Sequence, residues 1–134
     1  MSNSNVILDS ASVQIIDQAT SVYRVNSPVG SVTLGANKST YESYANIASG
    51  AGTSLTLPAA TVWAVYIKNL DAVAALTVQV QPTGGALPSA ANSPVIVPGG
   101  VYIYWNPTEG AGGVTAVTLV SSVGNTAAEI LLAA

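Results

Sequence analysis

The sequence predicts an all-β fold, namely a single-domain antiparallel β-sandwich of jelly-roll-like form with about eight to ten strands. The 134 residues include eighteen Val and twelve Thr, whose β-branched side chains fit a pleated, half-buried surface. Twelve Gly and seven Pro supply the turns that many short strands need. Candidate strands recur about every 8–12 residues, a spacing that is typical of sandwiches and small barrels.

The first part of the chain combines a polar N-terminus with short candidate strands. Residues 1–11 are expected to form a flexible arm, or a first edge strand, ahead of a sandwich domain over 12–134. Residues 41–47 fit either a short helix or a strand, because apolar side chains recur there at i, i+3, i+4 and i+7. The other strands of this part are predicted at 13–16, 21–25, 31–34 and 54–57.

The clearest strand signal lies between residues 62 and 81. Residues 62–69 are apolar on both faces, which predicts a strand covered on both sides. In 76–81, Leu and Val alternate with Thr and Gln, which predicts one buried and one solvated face. The link at 69–72 reads Asn-Leu-Asp-Ala and has turn chemistry, because Asn and Asp side chains bond to their own backbone. We therefore predict a β-hairpin of these two strands, joined by about five residues.

The remaining part of the chain predicts four more strands and two loops. The loops, 82–93 and 106–113, are rich in small residues, and the first is long enough to be functional or mobile. Neither an internal repeat nor a boundary divides the chain into two separately cored halves, so we expect one domain. The four strands are predicted at 94–97, 101–105, 114–120 and 126–132.

Charged side chains are few. Three Lys/Arg and six Asp/Glu give a formal net charge of −3 and 7% charged residues, against about 25% in soluble domains. Three cations are too few for a nucleic-acid site built on phosphate neutralisation. The lack of His and Cys excludes zinc and haem-thiolate sites and Cys–His or Ser–His–Asp catalysis. No apolar run approaches the ~20 residues of a membrane-spanning helix, and no secretory signal precedes the strands.

The acids and lysines form no catalytic motif. Acidic residues are at least eight positions apart in sequence, so a glycosidase pair would have to form across strands. Lys38 precedes Ser39, yet no Ser-x-x-Lys motif occurs. Asn69 and Asp71 are the only close pair of candidate calcium ligands, and a turn explains them better. The sequence therefore predicts no catalytic residue, no cofactor and no metal.

The aromatic strand at 101–105 supplies the candidate contact residues. Tyr102 and Tyr104 lie on one face, and Ile103 and Trp105 on the other. In one interpretation, Ile103 and Trp105 line the core and the tyrosines half-cover the outside. In the other, the tyrosines form an exposed protein-contact patch beside the following loop, since Tyr and Trp are enriched in interface hot spots. The candidate protein-contact residues are Tyr102, Tyr104, Trp105 and Glu109.

A succession of motifs over 53–105 carries a family resemblance. Val65-Tyr66-Ile67-Lys68 leads to Asn-Leu-Asp, then to a Leu-Thr-Val strand, a Pro/Gly-rich loop, and Pro-Gly-Gly before the aromatic strand. This succession resembles small β-sandwich structural proteins of tailed bacteriophage virions, while the first fifty residues do not take part. The chain departs from the family at 73–75, where Val-Ala-Ala replaces a polar turn. The resemblance implies a head decoration (cement) protein, or a head-to-tail or tail component.

The expected function is a non-enzymatic virion structural protein, a capsid decoration or stabilising subunit that binds the phage head shell as a homo-oligomer. Its expected partners are copies of itself, with a trimer favoured over a dimer, and the major capsid or another virion protein. Its expected location is the virion, after synthesis in the host cytoplasm. A surface built from 27 Ser/Thr and 13 Asn/Gln repels its own copies little. The alternative is a carbohydrate-binding or adhesin-type module that uses Trp63, Tyr102 or Tyr104 as a platform.

Overall fold

The structure, a computed structural model, describes residues 11–17, 22–29, 39–105 and 113–134. These residues form ten β-strands and one short 3₁₀ turn, Ala90–Asn92, and none of them lies in an α-helix. The all-β prediction is confirmed. The strands are β1 (Ala11–Asp17), β2 (Val22–Val29), β3 (Ser39–Ile47), β4 (Thr53–Ser54), β5 (Ala64–Asn69), β6 (Leu76–Pro82), β7 (Val95–Ile96), β8 (Val101–Trp105), β9 (Val114–Ser121) and β10 (Thr126–Ala133).

The strands make three antiparallel sheets. β1 and β2 pair with each other in a two-stranded sheet. The first four-stranded sheet has the order β3-β10-β5-β8, and the second has the order β4-β9-β6-β7. In both, strands that are distant in sequence lie side by side, because the late strands β10 and β9 insert between earlier ones. The two four-stranded sheets therefore depend on long-range pairing rather than on local hairpins.

Side chains from both four-stranded sheets share one hydrophobic core. Val65, Ile67 and Ile130 of the first sheet are at most 1% exposed, and Leu76 and Leu119 of the second are fully buried. All five belong to a single cluster of buried residues. Burial of each such side chain contributes about 1.5–3 kcal/mol. The arrangement is β-sandwich-like, since two antiparallel sheets face each other across one core.

Residues 41–47, which fit a helix or a strand by sequence, belong to β3. This strand pairs with β10 from Ile47 opposite Thr126 to Ser39 opposite Ala133. Ile47 is fully buried, and Tyr44 packs against the core. The strand prevails because pairing with β10 satisfies the backbone groups on the inner side of β3, which outweighs a weak helical periodicity.

The predicted hairpin between 62–69 and 76–81 is wrong. β5 lies in the first four-stranded sheet, between β10 and β8, and β6 lies in the second, between β9 and β7. The connection at 70–75 therefore crosses from one sheet to the other. The alternation of apolar residues separates the two faces of a strand, but a crossover and a hairpin give the same alternation.

Most other strand predictions agree with the structure apart from their boundaries. The predicted strand at 54–57 is shorter, because β4 ends at Ser54, ahead of Pro58. The predicted strand at 31–34 and residues 1–10 of the predicted arm lie outside the described residues. Strands are present at the other predicted positions, including all four that the sequence predicts beyond residue 93.

The long loop after β6 is held on the polar face of that strand. The Gln79 side chain donates from Nε2 to the carbonyl oxygen of Pro88 at 2.6 Å. Gln81 donates in the same way to Gly85 at 2.9 Å. The face of β6 that was predicted to be solvated therefore carries part of the loop, since each glutamine replaces a water contact with a backbone carbonyl.

Glycine at position 52 is required by a close approach of the β3–β4 turn to β9. Its φ is +76°, and an added Cβ would lie 2.5 Å from the carbonyl oxygen of Leu119. Gly84 has a similar φ of +74°, with no atom within 4 Å of the added Cβ.

We expect Gly52→Ala to lower the free energy of unfolding by about 3 kcal/mol and Gly84→Ala by only about 1 kcal/mol, measured by urea denaturation. Equal losses in the two variants would contradict the close approach.

Candidate protein-contact site

The structure reverses the predicted faces of the aromatic strand β8. Tyr102 lies directly opposite Ile67 on β5, and Tyr104 lies opposite Val65. Residues directly opposite each other share a face, so both tyrosines point to the core side, where they pack against the buried cluster. Ile103 points the other way and is 49% exposed. The interpretation with Ile103 in the core and the tyrosines outside is therefore wrong, because the alternation alone does not tell which face is buried.

The environment of Tyr102 agrees with this placement. Burial raises the pKa of its phenol above the ordinary value, and the neighbouring Tyr104 raises it further. The phenol therefore stays neutral at physiological pH, as expected for a group that is half-buried against apolar side chains. The Trp105 side chain and Glu109 lie outside the described residues. A contact role for Tyr102, Tyr104, Trp105 and Glu109 stays a prediction.

Another surface is built where four turns meet at one end of the two sheets. The β9–β10 turn is bonded to two of the others: the Ser121 N–H donates to Ala48 O at 2.9 Å, and the Ser122 N–H donates to Ala75 O at 3.0 Å. The Ser122 hydroxyl accepts in return from the Ala75 N–H at 3.1 Å. We call this surface the turn end; its turns are 48–52, 70–75, 97–100 and 122–125.

Asn69 connects the turn at 97–100 to the crossover at 70–75. Its side chain is fully buried, and its Nδ2 donates to Ala74 O at 2.7 Å and to Ile96 O at 3.3 Å. Its Oδ1 accepts from the Asp71 N–H at 3.0 Å, and its backbone N–H donates to Gly100 O at 3.0 Å. One amide thus bonds to backbone groups both in β7 and in the crossover.

Asp71 organises the tip of the crossover. Its Oδ1 accepts from the N–H groups of Val73 and Ala74, both at 2.8 Å. The hydrogen bond from Ala74, followed by that from Val73, lowers the pKa of the carboxyl below its ordinary value. This is the turn chemistry that the sequence predicts at 69–72, used here to cross between sheets rather than to close a hairpin.

Ser121 has the corresponding role in the β9–β10 turn. Its buried hydroxyl bonds to the buried hydroxyl of Thr126 and accepts from the N–H groups of Val123 and Gly124 at 3.2 and 2.8 Å. Asn125 adopts φ 51° at the close of this turn, a conformation that Asn tolerates well. The turn is therefore held largely from inside by the Ser121 hydroxyl.

The turn end exposes four large aliphatic side chains. Val73 is 82% exposed, Val123 is 70% exposed, Val97 is 63% exposed and Leu70 is 45% exposed. The single charged side chain in the four turns is Asp71, whose carboxylate is engaged by the backbone. Exposed aliphatic side chains on backbone that is fixed by hydrogen bonds suit contact with another protein surface.

The sequence contains a signal for this surface that our prediction of contact residues did not use. Val73 and Val123 both stand in predicted turns, where polar residues are usual. A large apolar residue at such a position is a candidate for exposure, and both valines are exposed. The aromatic strand drew attention instead, because Tyr and Trp dominate known interface hot spots.

Comparisons with protein-family models, with curated proteins and with solved structures gave no match. Among the described residues, no three His, Cys, Asp or Glu side chains come close enough together to hold a metal ion. Over those same ranges, no helix combines the length and the apolar character that crossing a bilayer requires. The turn end is therefore defined by its own hydrogen bonds and by the exposure of its side chains.

Removal of the Asn69 amide should destabilise the protein strongly. In Asn69→Ala, the Ala74 carbonyl and the Asp71 N–H lose their partner and the Ile96 carbonyl loses one of its donors, and each unsatisfied buried group costs about 1–3 kcal/mol. We expect a loss of about 3 kcal/mol in the free energy of unfolding, measured by urea denaturation. The control is Asn92→Ala at an exposed position, with a loss within about 0.5 kcal/mol. Similar losses in the two variants would show that the buried amide is dispensable.

The lowered pKa of Asp71 predicts an acid-dependent part of the stability. A carboxyl whose folded-state pKa lies below its unfolded value of 3.8 stabilises the fold above that pH, and the effect is lost as the pH falls through the folded-state pKa. Asp71→Asn should therefore be less stable than the wild type at neutral pH and should lose less stability between about pH 5 and pH 2. Urea midpoints at several pH values measure the difference, and parallel curves would refute it.

Proposed function

We propose that the chain is a non-enzymatic structural subunit of a tailed-phage virion, a decoration subunit that binds and stabilises the head shell as a homo-oligomer. The proposal rests on the family resemblance over 53–105, on the strand order of the sandwich and on the apolar turn end. The turn end carries most weight, because a fold is shared by many functions and a surface is specific to one. Such a subunit is made in the host cytoplasm and ends in the virion.

A jelly-roll form is part of the proposal, and the strand order supports it. Four pairs nest inside one another along the chain: β3 with β10, β4 with β9, β5 with β8 and β6 with β7. This is the pairing of one long antiparallel ribbon that is folded back between β6 and β7. Two more pairs, β10 with β5 and β9 with β6, join the coiled ribbon into two sheets. Double-sheet jelly rolls of eight strands occur in viral capsid proteins and in lectins.

The turn end is the surface that we assign to the shell. Val73, Val97 and Val123 are short, branched side chains, so they lose little conformational entropy when a partner covers them. Their backbone is fixed by the bonds of Asn69 and Ser121, which lowers the ordering cost further. The Asp71 carboxylate keeps its two backbone hydrogen bonds when the turn end is covered, because its donors belong to the same turn. The partner is the major capsid protein or another virion protein with an apolar docking surface.

The alternative function, a carbohydrate-binding or adhesin-type module, is compatible with a jelly roll, which lectins also use. It requires aromatic rings presented to solvent for stacking on a sugar. Tyr102 and Tyr104 instead pack against the core, which favours the structural role. Specific binding on a glycan array that is lost in a Trp63→Ala variant would reverse this preference.

Binding to particles tests the proposed function. Purified protein is mixed with particles of a phage that encodes it, from which the chain has been removed, and sedimentation measures the bound fraction. We expect saturable binding, and we expect Val73→Asp with Val123→Asp to weaken it by at least about tenfold, since buried carboxylates would replace apolar contacts.

The matched control for this experiment is Leu87→Asp, an exposed apolar residue in the loop between β6 and β7, away from the turn end. It should bind like the wild type. Absence of the chain from native particles, together with no binding by the wild-type protein, would rule out the virion role. Equal weakening by Leu87→Asp would move the contact away from the turn end.

A further inference from the structure

The two four-stranded sheets have four edge strands, and β8 is the least protected of them. β4 and β7 are two residues long, and Pro94 and Pro98 flank β7. β3 carries the exposed Glu42 and is otherwise rich in polar residues. β8 has five residues, Val-Tyr-Ile-Tyr-Trp, without a charge or a proline. Short strands, charges and prolines are the usual means of blocking an edge against further pairing. Only β8 is longer than two residues and has neither a charge nor a proline within the strand.

The hydrogen-bond register identifies the backbone groups at the open edge of β8. The Asn69 N–H donates to Gly100 O at 3.0 Å, so these opposite residues form a hydrogen-bonded pair. Hydrogen-bonded and non-hydrogen-bonded pairs alternate along an antiparallel ladder. Tyr102 and Tyr104 therefore bond inward to β5. Val101, Ile103 and Trp105 direct their N–H and C=O groups outward, away from β5.

The side chains of the same residues add an apolar surface to that edge. Val101 is 47% exposed and Ile103 is 49% exposed, both on the face of the sheet that points away from the core. Ile103 lies opposite Tyr66 of β5, so the surface continues onto the neighbouring strand. The nearest described charge on this face is Lys68, which lies opposite Val101 and, on its other side, opposite Glu129 of β10. An opposite charge thus stands beside the lysine within its own sheet.

We propose that β8 pairs antiparallel with β8 of a second copy, about a two-fold axis at Ile103. Ile103 then forms a hydrogen-bonded pair with Ile103 of the second copy, and Val101 forms one with Trp105 of the second copy. These are the three residues whose backbone groups point outward, so the register satisfies both edges at once. The pairing joins two four-stranded sheets into one sheet of eight strands.

A second copy is the occupant that this edge fits best, because the edge is complementary to itself. A two-fold axis brings the same strand of the two copies together, so like charges on an edge would approach each other, whereas β8 carries no charge. An interface that is identical on both sides closes with two copies, so the pair replaces the trimer that the sequence favours. The inference rests on the self-association in the proposed function and is independent of the virion role.

Charge substitutions at position 103 test the two-fold register. Ile103→Lys and Ile103→Asp each place like charges opposite each other across the axis, and each should raise the dimer dissociation constant by at least about tenfold. An equal mixture of the two variants should form a heterodimer, because only residue 103 faces itself. Light scattering after size exclusion measures the mass, with about twice 13.4 kDa expected for the wild type and for the mixture.

The matched control is Val123→Lys, an exposed valine at the turn end, which should remain dimeric. Circular dichroism and thermal unfolding confirm that each variant is folded. A monomeric or trimeric wild type, or an Ile103→Lys variant that dimerises as strongly as the wild type, would overturn the proposal. Particle binding by a folded, monomeric Ile103→Lys separates the two proposals, since a lost dimer with retained binding leaves the virion role standing.

Cross-linking gives a second, independent measurement. The chain has no cysteine, so Ile103→Cys carries a single thiol. Hydrogen-bonded antiparallel pairs place their Cα atoms about 5.5 Å apart, within the range of a disulfide. Mild oxidation should convert most of Ile103→Cys to a covalent dimer and little of the control Val123→Cys. Equal cross-linking of the two variants would indicate random collision and would count against the β8 interface.

Discussion

The side-chain amide of Asn69 lies where the chain leaves one sheet and enters the other, and the turn end depends on it. A crossover between sheets removes backbone groups from their ladders, and buried groups of this kind must find other partners. The Nδ2 atom donates to Ala74 O in the crossover and to Ile96 O in β7, while Oδ1 accepts from the Asp71 N–H. One side chain therefore fixes the end of β5, the path of the crossover and the position of β7.

This constraint explains how a chain with so few charges can present a defined surface. The turns are held from inside by buried polar side chains, Asn69 and Ser121, rather than from outside by ion pairs. Their outer positions are then free to carry exposed valines, as at Val73 and Val123. The low charge of the sequence and the exposed aliphatic side chains of the turn end are therefore compatible with each other, because the turns need no surface ion pairs to hold them.

The positions of the strands could be read from the sequence, and their partners could not. Alternation and turn residues located β5, β6, β8, β9 and β10 closely, because period-two burial and turn chemistry are local properties. The hairpin prediction failed because the same turn residues at 69–72 serve a crossover as well as they serve a hairpin. The faces of Tyr102 and Ile103 were exchanged for a related reason, since the buried face of β8 is determined by its pairing with β5.

The sequence by itself determined the all-β class, the strand positions, the uncharged character of the surface and the turn chemistry of Asn69 and Asp71. Each of these follows from composition or from neighbours within a few residues. Only the tertiary structure decided that β5 and β6 belong to different sheets, that the four turns meet at one end and that no other strand of the described ranges pairs with the outer edge of β8. These features depend on contacts between strands that are far apart in the chain, and no local pattern specifies which strands meet.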